Sequence, residues 1–330
     1  MSENVAIVIG QNQYDNLPNL PACKNDAEMI AYALDVTKRY PKRRLILDKN
    51  AAELKEEIRR TLDEIESVHE LFFFFSGHGY IYESEFFFCP SGFNPDTPHR
   101  TGISNESLHE MMRGVSPEIV VKVVDACASG VNLIKSDDIF LKSDNRFNNF
   151  IQMASCLDTQ VSIAGSKISK FTREFLESMA EKQKGPIYYE DLIASMKDRF
   201  MDNSSQTPHF ITQYTAREVF APDVSVFKEL PERISALLSA SQDAKTLTTD
   251  EFYNKVLEVV KQRENRFANQ SSAQSFLEQA QDYLNQFVRD NEIIEKFFQT
   301  DIEVYDDLEE IPNVHQIART LQNSGRIDDL

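Results

Sequence analysis

Residues 71–79 read LFFFFSGHG, a run of five apolar residues that ends in a turn of small and polar residues. An uninterrupted apolar run of this length is typical of a strand buried on both faces of a parallel sheet. Three further strands and three helices are predicted from the same kind of pattern. The strands are 5–9, 43–47 and 119–124, and the helices are 24–35, 51–66 and 104–113. Strands that alternate with helices predict an α/β domain with a mostly parallel sheet flanked by helices.

The alternation of strands and helices continues through the first two thirds of the chain and then stops. A strand is predicted at 150–155 and a last strand at 209–214, with two helices between them. Beyond Pro222 only helical spacing and an acidic charge balance remain. This change predicts two domains, an α/β domain over 1–221 and a smaller, acidic, all-helical domain over 222–330 with a regulatory or interaction role.

The composition excludes several classes of function. Of 330 residues, 35 are Lys or Arg and 53 are Asp or Glu, and the formal net charge of -18 disfavours binding to nucleic acid or to an anionic membrane. Four cysteines are too few for a disulfide scaffold, and no Cys/His cluster has zinc-site spacing, so we expect free thiols and no metal or other cofactor. The chain has neither a signal-peptide pattern nor an apolar run that could span a bilayer, so we expect a cytoplasmic protein.

Three segments at the carboxyl ends of predicted strands carry reactive side chains. A loop with Cys23 and Asp26 follows the first strand, the SGHG turn with His78 follows the third, and the segment DACASG with Cys127 follows the fourth. If the third and fourth strands are neighbours, His78 and Cys127 emerge side by side, as a cysteine nucleophile and its imidazole base require. The backbone N–H groups of Cys127 and Gly79 are candidate donors to an oxyanion.

Each of these signals also has a structural explanation. A cysteine at a strand end is more often part of a core, and a Gly-His-Gly segment is more often a turn. Asp26 alone is explained by the favourable field at the start of a helix. No side chain identifies itself as a third group that orients His78, so we expect a backbone carbonyl in that role.

The sequence resembles the caspase-like cysteine peptidases (clan CD, family C14), and within them the metacaspase and bacterial branches. The resemblance rests on AIVIGQNQY with LPACKNDAEM, FFFFSGHGY, VVKVVDACASG, MASCLDTQVS and QTPHF, which occur in order from residue 4 to about 221. It implies that His78 and Cys127 form a catalytic dyad. Position 128 is alanine, where histidine is frequent in the family, but this position lies outside the dyad.

The resemblance also implies a substrate preference. In metacaspase-like enzymes a Cys, two Asp and a Ser build the S1 pocket, and these match Cys23, Asp26, Ser76 and Asp125. Carboxylates in a pocket suit a basic side chain. The resemblance therefore implies cleavage of protein or peptide substrates after Arg or Lys, and not after Asp.

Control of the activity is implied in the same way. Family members are often activated by a cut after the nucleophile strand, and Lys135, Lys142 and Arg146 would suit a basic-specific protease that cuts itself. The acidic calcium-binding insertion of many metacaspases has no counterpart after His78, so calcium dependence is not implied. The resemblance points to a regulated protease of a bacterial stress, cell-death or antiviral pathway. An activating ligand or partner protein would act through 222–330.

Two alternatives stay open at this stage. The chain is also consistent with a catalytically idle caspase-like adaptor, a binding module whose cleft holds peptides or partners without cleaving them. It is also consistent with a different thiol hydrolase on a flavodoxin-like sheet. Such an enzyme would depend on Cys127 but ignore peptides with a basic P1 residue.

Overall fold

The computed structural model describes the chain in several ranges separated by gaps. These are 2–126, 147, 149–155, 167–201, 206–213 and 217–239. The chain divides into two compact units, Met1–Ala244 and Lys245–Leu330. The whole second unit lies outside the described residues, so the helical domain expected at the C-terminus stays a prediction.

A six-stranded sheet forms the centre of the first unit. The strands of the described residues are β1 (Glu3–Gly10), β2 (Lys42–Leu47), β3 (Val68–Ser76), β4 (Gly79–Tyr82), β5 (Glu85–Phe88), β6 (Ile103–Ser104), β7 (Ile119–Asp125), β8 (Phe150–Ala154), β9 (Ile187–Tyr188), β10 (His209–Thr212) and β11 (Val219–Ala221). The main sheet has the order β10-β8-β7-β3-β1-β2, and its pairs are parallel except for β8 with β10. The predicted sheet is thereby confirmed, with β3 and β7 as direct neighbours.

Helices cover both faces of this sheet. In the described ranges they are α1 (Ala22–Thr37), α2 (Ala51–Asp63), α3 (Pro98–Thr101), α4 (Asn105–Arg113), α5 (Lys170–Met179), α6 (Tyr189–Arg199) and α7 (Leu230–Ser239), with a 3-10 helix at Val224–Phe227. None of these described helices has the length and apolar character needed to cross a membrane. The described residues also form two small sheets, β4-β5-β6 and β9-β11.

The four phenylalanines of β3 show why the sheet is covered on both sides. Phe72 and Phe74 pack in the core that contains side chains of α1, α5 and α6, whereas Phe73 and Phe75 pack in the core with α2 and α4. Burial of four such rings contributes on the order of 10 kcal/mol before the cost of ordering the chain is counted. The apolar run is therefore a strand between two helical layers, as predicted.

The strand β3 begins at Val68, three residues before its predicted start. The prediction missed these residues because Glu70, a charged residue that is buried, interrupts the apolar pattern. The carboxylate of Glu70 accepts hydrogen bonds from the Arg39 guanidinium and from the hydroxyls of Tyr40 and Tyr189. Three donors offset much of the cost of burying the charge. The network ties the start of β3 to the segment before β2 and to α6.

At the opposite end of the sheet, Gly10, Ser76 and Asp125 are aligned across β1, β3 and β7. Helix α1 packs closely here, since a Cβ at Gly10 would lie 2.6 Å from the Cys23 carbonyl oxygen. The helix predicted over 24–35 is present and begins two residues earlier, at Ala22. Cys23 and Asp26 therefore lie in α1, and the expectation that a loop holds them is wrong. The helix carries both side chains along this edge of the sheet.

The core of the first unit includes residues beyond Pro222. Phe227, Leu230 and Ile234 are buried in the same cluster as the side chains of α1 and α5. The described residues from the 3-10 helix to α7 therefore pack with the α/β unit.

Candidate active site

The carboxyl ends of β1, β3 and β7 form one continuous edge. The Gly77 N–H donates to the Asp125 carbonyl oxygen (3.2 Å), and the Gln11 N–H donates to the Ser76 carbonyl oxygen (2.9 Å). These bonds hold the chain together immediately beyond the strand ends. The SGHG turn and the end of β7 therefore lie side by side.

The predicted nucleophile, Cys127, lies outside the described residues, which stop here at Ala126. Ala126 is buried, and its N–H donates to Ser155 Oγ (3.1 Å). The Ser155 N–H in turn donates to the Val124 carbonyl oxygen (2.9 Å). The residue before the cysteine is thus fixed against the end of β8. The pairing of Cys127 with His78 stays a prediction.

The imidazole of His78 is held by residues 11–21, which we call the β1–α1 loop. Its Nε2 lies 2.8 Å from the Pro18 carbonyl oxygen. A carbonyl oxygen only accepts hydrogen bonds, so Nε2 carries the proton and Nδ1 carries the lone pair of the neutral ring. The Tyr14 hydroxyl accepts a hydrogen bond from the His78 N–H (2.9 Å), and the two rings pack edge to face with centroids 4.7 Å apart. Nδ1 is therefore the ring atom able to accept a proton.

The N–H of Gly79 points away from its strand partner. Gly79 lies opposite Phe88 in the antiparallel pair β4-β5, and the Cys89 N–H donates to the His78 carbonyl oxygen (3.0 Å). In an antiparallel ladder, that bond identifies Gly79 and Phe88 as a pair that does not exchange hydrogen bonds. Because β4 is an edge strand, the Gly79 N–H is directed to the outer side of its sheet.

Two carboxyl groups, those of Asp26 and Asp125, are buried at the same edge. Asp26 accepts hydrogen bonds from the Ser76 hydroxyl (2.7 Å) and from the N–H (2.9 Å) and hydroxyl of Ser169. Asp125 accepts from the N–H (3.2 Å) and hydroxyl (2.7 Å) of Thr172. Ser169 is the N-cap of α5 and Thr172 lies in its first turn. The positive end of the helix dipole therefore faces both carboxyl groups.

Ionisation of the Asp26 carboxyl group is disfavoured in the folded protein. Burial, followed by the negative charge of Asp125, raises the pKa of Asp26 from 3.8 to about 7, although hydrogen bonds from Ser169 and Ser76 act in the opposite direction. The neutral donors thus compensate only part of the cost of a charge at this position. A cation brought to this edge would stabilise the ionised forms.

The four predicted pocket residues lie at the carboxyl ends of β3 and β7 and in the adjacent start of α1. Ser76 is hydrogen-bonded to Asp26 and aligned with Asp125. Cys23 is buried in the first turn of α1, and its N–H donates to the Leu20 carbonyl oxygen (3.1 Å). Their binding of a substrate side chain stays a prediction.

The predicted self-cleavage residues Lys135, Lys142 and Arg146 lie outside the described residues. In the ranges that the structure describes, no group of three His, Cys, Asp or Glu side chains is arranged to hold a metal ion.

Four groups at this edge were not predicted as site residues, namely Tyr14, Pro18, Ser169 and Thr172. Tyr14 is the last residue of the segment AIVIGQNQY, yet its contact with position 78 joins residues 64 apart. Ser169 precedes a helix, which is the usual place of an N-cap and a signal that the sequence offers. Its partner Asp26 is 143 residues away, so no local pattern announces the contact.

Comparisons with known proteins give a family and similar solved structures. No curated protein matches the chain. Similar solved structures include a protein of Geobacter sulfurreducens solved by structural genomics (17% identity, 64% of this chain and 94% of that chain, TM-score 0.49). They also include caspase-1 from Spodoptera frugiperda (15% identity, 67% of this chain and 90% of that chain, TM-score 0.44). The family description "Caspase domain" matches residues 3–220, well over half of the chain. The chain therefore belongs to the caspase-domain family of cysteine peptidases, whose members act on protein substrates.

Proposed function

We propose that the chain is a cysteine endopeptidase that cleaves proteins after Arg or Lys. The observation that carries the proposal is the buried pair of Asp26 and Asp125 at the same sheet edge as the oriented imidazole of His78. A base and an acidic pocket are the two groups that such an enzyme needs besides its nucleophile. Cys127 stands two residues beyond Asp125 in the sequence.

In the proposed reaction Cys127 is the nucleophile, and His78 serves as base and then as acid. Nδ1 of His78 takes the proton from Cys127 Sγ, and the thiolate attacks the carbonyl carbon of the scissile peptide bond. The imidazolium gives this proton to the leaving amine as the C–N bond breaks, which leaves a thioester on Cys127. Water, deprotonated by the same imidazole, then attacks the thioester carbonyl carbon. The C–S bond breaks, the acid product leaves, and the imidazolium returns its proton to the Cys127 thiolate. The Pro18 carbonyl keeps its hydrogen bond to Nε2 and stabilises the imidazolium.

The backbone N–H groups of Gly79 and Cys127 are proposed as donors to the oxyanion of the tetrahedral intermediate. The direction of the Gly79 N–H, away from β5, supports this role. A single donor of this kind lowers the barrier by about 3 kcal/mol in other enzymes. The SGHG turn would thus supply both an oxyanion donor, the Gly79 N–H, and the base, the His78 imidazole.

The P1 side chain is proposed to bind among Cys23, Asp26, Ser76 and Asp125. The hydrogen bonds that Asp26 receives come from serine groups, which are neutral. A guanidinium or ammonium group would supply the positive charge that an ionised pair of carboxylates requires. An acidic P1 side chain would add a third negative group and be rejected.

Control of the enzyme is part of the same proposal. Lys135, Lys142 and Arg146 follow the nucleophile and are the residue types that the enzyme itself would cut. The acidic segment 222–330 is proposed as the region through which an activating ligand or partner protein acts. Such control would suit a protease of a bacterial stress, cell-death or antiviral pathway.

The test is a panel of matched peptides that differ only at P1, with Arg, Lys, citrulline, Asp or Ala. Citrulline has the shape of arginine without its charge. We expect the wild type to cleave after Arg and Lys, and Cys127→Ala and His78→Ala to cleave nothing. Asp26→Asn and Asp125→Asn should lower kcat/KM for the Arg peptide by about tenfold or more relative to the citrulline peptide. Asp198→Asn, an exposed carboxylate of α6, is the matched control.

Each part of the proposal has its own contradicting result. Preferential cleavage after Asp would contradict the assignment of the S1 pocket but not the assignment of Cys127 as the nucleophile. Activity that persists in Cys127→Ala would contradict the nucleophile. If the full chain cleaves no peptide, with or without calcium and after removal of the second compact unit (245–330), the peptidase proposal fails and an adaptor role is favoured.

A further inference from the structure

Two groups of the β1–α1 loop hold His78 from different sides. The Pro18 carbonyl oxygen accepts a hydrogen bond from Nε2 (2.8 Å), and the Tyr14 hydroxyl accepts one from the backbone N–H (2.9 Å). The ring of Tyr14 also packs against the imidazole at an interplanar angle of 63°. Both contacts of Tyr14 with His78, the hydrogen bond of the hydroxyl and the packing of the ring, come from the side chain. Substitutions can therefore remove the hydroxyl alone or the ring as well.

The β1–α1 loop is itself anchored to its surroundings. The carboxylate of Asp48, just after β2, accepts hydrogen bonds from the N–H groups of Asn12 (2.7 Å) and Gln13 (2.9 Å). Within the loop, the side chain of Asn19 accepts a hydrogen bond from the Tyr14 N–H (2.8 Å). Tyr14 is thus fixed through its backbone as well as through its side chain.

The side chain of Tyr14 is buried in a small apolar cluster with Phe87, Cys89 and Phe93. Its hydroxyl fills the space beside Gly77, where a Cβ would lie 2.8 Å from the hydroxyl oxygen. The first glycine of the SGHG turn therefore leaves room for this hydroxyl. Burial raises the pKa of Tyr14 well above its ordinary value of 10.0, so the hydroxyl keeps its proton near neutral pH.

We propose that Tyr14 is a positioning residue that fixes the backbone and the imidazole of His78 in the orientation needed for proton transfer. The proposal rests on the proposed function, since it requires His78 to act on Cys127. Without the hydroxyl, the His78 N–H loses its acceptor and the turn that carries the imidazole loses a restraint. Because proton transfer depends on precise geometry, the loss appears in the chemical step and not in substrate binding.

The experiment follows alkylation of Cys127 by iodoacetamide as a function of pH in the full-length protein. An imidazole partner makes a thiol reactive below its ordinary pKa. We expect Tyr14→Phe, which keeps the ring, to slow alkylation at neutral pH by about tenfold and to move the pH profile toward that of His78→Ala. With the Arg peptide, its kcat should fall by about tenfold while KM changes by less than about twofold.

Tyr82→Phe is the matched control, because the ring of Tyr82 packs against His99 at 5.6 Å. It should leave the alkylation profile and kcat unchanged. Tyr14→Leu, which removes the ring as well as the hydroxyl, should shift the alkylation profile further than Tyr14→Phe does. Thermal unfolding of each variant shows whether the fold is retained.

The proposal is overturned if Tyr14→Phe, while folded, has the alkylation profile and kcat of Tyr82→Phe. It is also overturned if the loss of rate tracks only a lower Tm and disappears on cooling, because the role would then be structural. Failure of the proposed function is recognised separately. If His78→Ala leaves the alkylation profile unchanged, the dyad is refuted and Tyr14 has no base to position. If the dyad is present but peptides are not cleaved, alkylation alone decides the role of Tyr14.

Discussion

Replacement of Asp26 by asparagine is a direct test of the electrostatics at the sheet edge. The Asp26 carboxyl group is completely buried, and burial together with the charge of Asp125 raises its pKa to about 7. Asparagine retains one oxygen for the Ser169 N–H. Its amide group can donate to the hydroxyls of Ser76 and Ser169, since a hydroxyl both donates and accepts. The variant therefore removes the charge and keeps most of the hydrogen bonding.

The magnitude follows from the difference between the folded and unfolded pKa values of Asp26. Between about pH 4 and about pH 7 the folded protein keeps a proton that the unfolded chain releases, so the free energy of unfolding falls as pH rises. The slope is about 1.4 kcal/mol per pH unit, and the full loss above about pH 7 is on the order of 4 kcal/mol. Below about pH 4 the carboxyl group is protonated in both states and this cost is absent.

Urea unfolding of the wild type and Asp26→Asn at about pH 5, 6, 7 and 8 measures this effect. The difference between the two proteins at each pH cancels the other titrating groups. From about pH 5 to about pH 8 this difference should change by about 3 kcal/mol in favour of the variant. Asp125→Asn should move the titration of Asp26 to lower pH, because it removes a neighbouring charge. A difference that stays constant across this pH range would refute the reasoning.

Three further predictions concern the fold. Glu70→Gln should lower the free energy of unfolding by about 3 kcal/mol, because it leaves the Arg39 guanidinium without its carboxylate; an unchanged urea midpoint would contradict this. Gly10→Ala should cost about 2 kcal/mol or more, since its Cβ would lie 2.6 Å from the Cys23 carbonyl oxygen, and an unchanged Tm would show that α1 can move away. Burial lowers the pKa of Lys122, so the unfolded chain binds more protons and the free energy of unfolding rises with pH. Lys122→Met should remove this dependence on pH, whereas an equal slope in the variant would assign it to other groups.

The main sheet was predictable because its buried strands consist mostly of apolar residues. The run at 71–75 and the apolar segment at 119–124 need no information from elsewhere to be assigned as buried strands. The start of β3 was not predictable in this way, because Glu70 interrupts the apolar pattern. Its burial depends on Arg39 and Tyr189, which approach it only when the chain is folded.

In the candidate site, too, some residues could be predicted from the sequence, whereas the groups that contact them could not. His78 was predicted as a site residue because it lies in the turn after an apolar run, and Asp125 because the family resemblance matches it to the S1 pocket. The pairing of β3 with β7 confirms that the two apolar runs are neighbours. The groups that hold them come from distant segments. Pro18 acts through its backbone carbonyl, which any residue possesses, and Thr172 is one of four threonines in the described helices. Residue type alone therefore did not distinguish either of them.

The variant Asp26→Asn also distinguishes a purely structural role of the buried carboxylate from a role in substrate binding. If Asp26 served only to join α1 and β3 to the residue before α5, a neutral side chain with the same hydrogen bonds would serve equally well, without the cost of a charge above about pH 7. A pocket for a cation requires that charge and accepts its cost in the unliganded protein. Under either role Asp26→Asn becomes more stable near pH 8, because the raised pKa alone gives that gain. Under the structural role, the variant leaves the ratio of Arg to citrulline cleavage unchanged. Under the substrate-binding role, the variant loses its preference for Arg while its stability rises, so the cleavage ratio is the measurement that distinguishes the two roles.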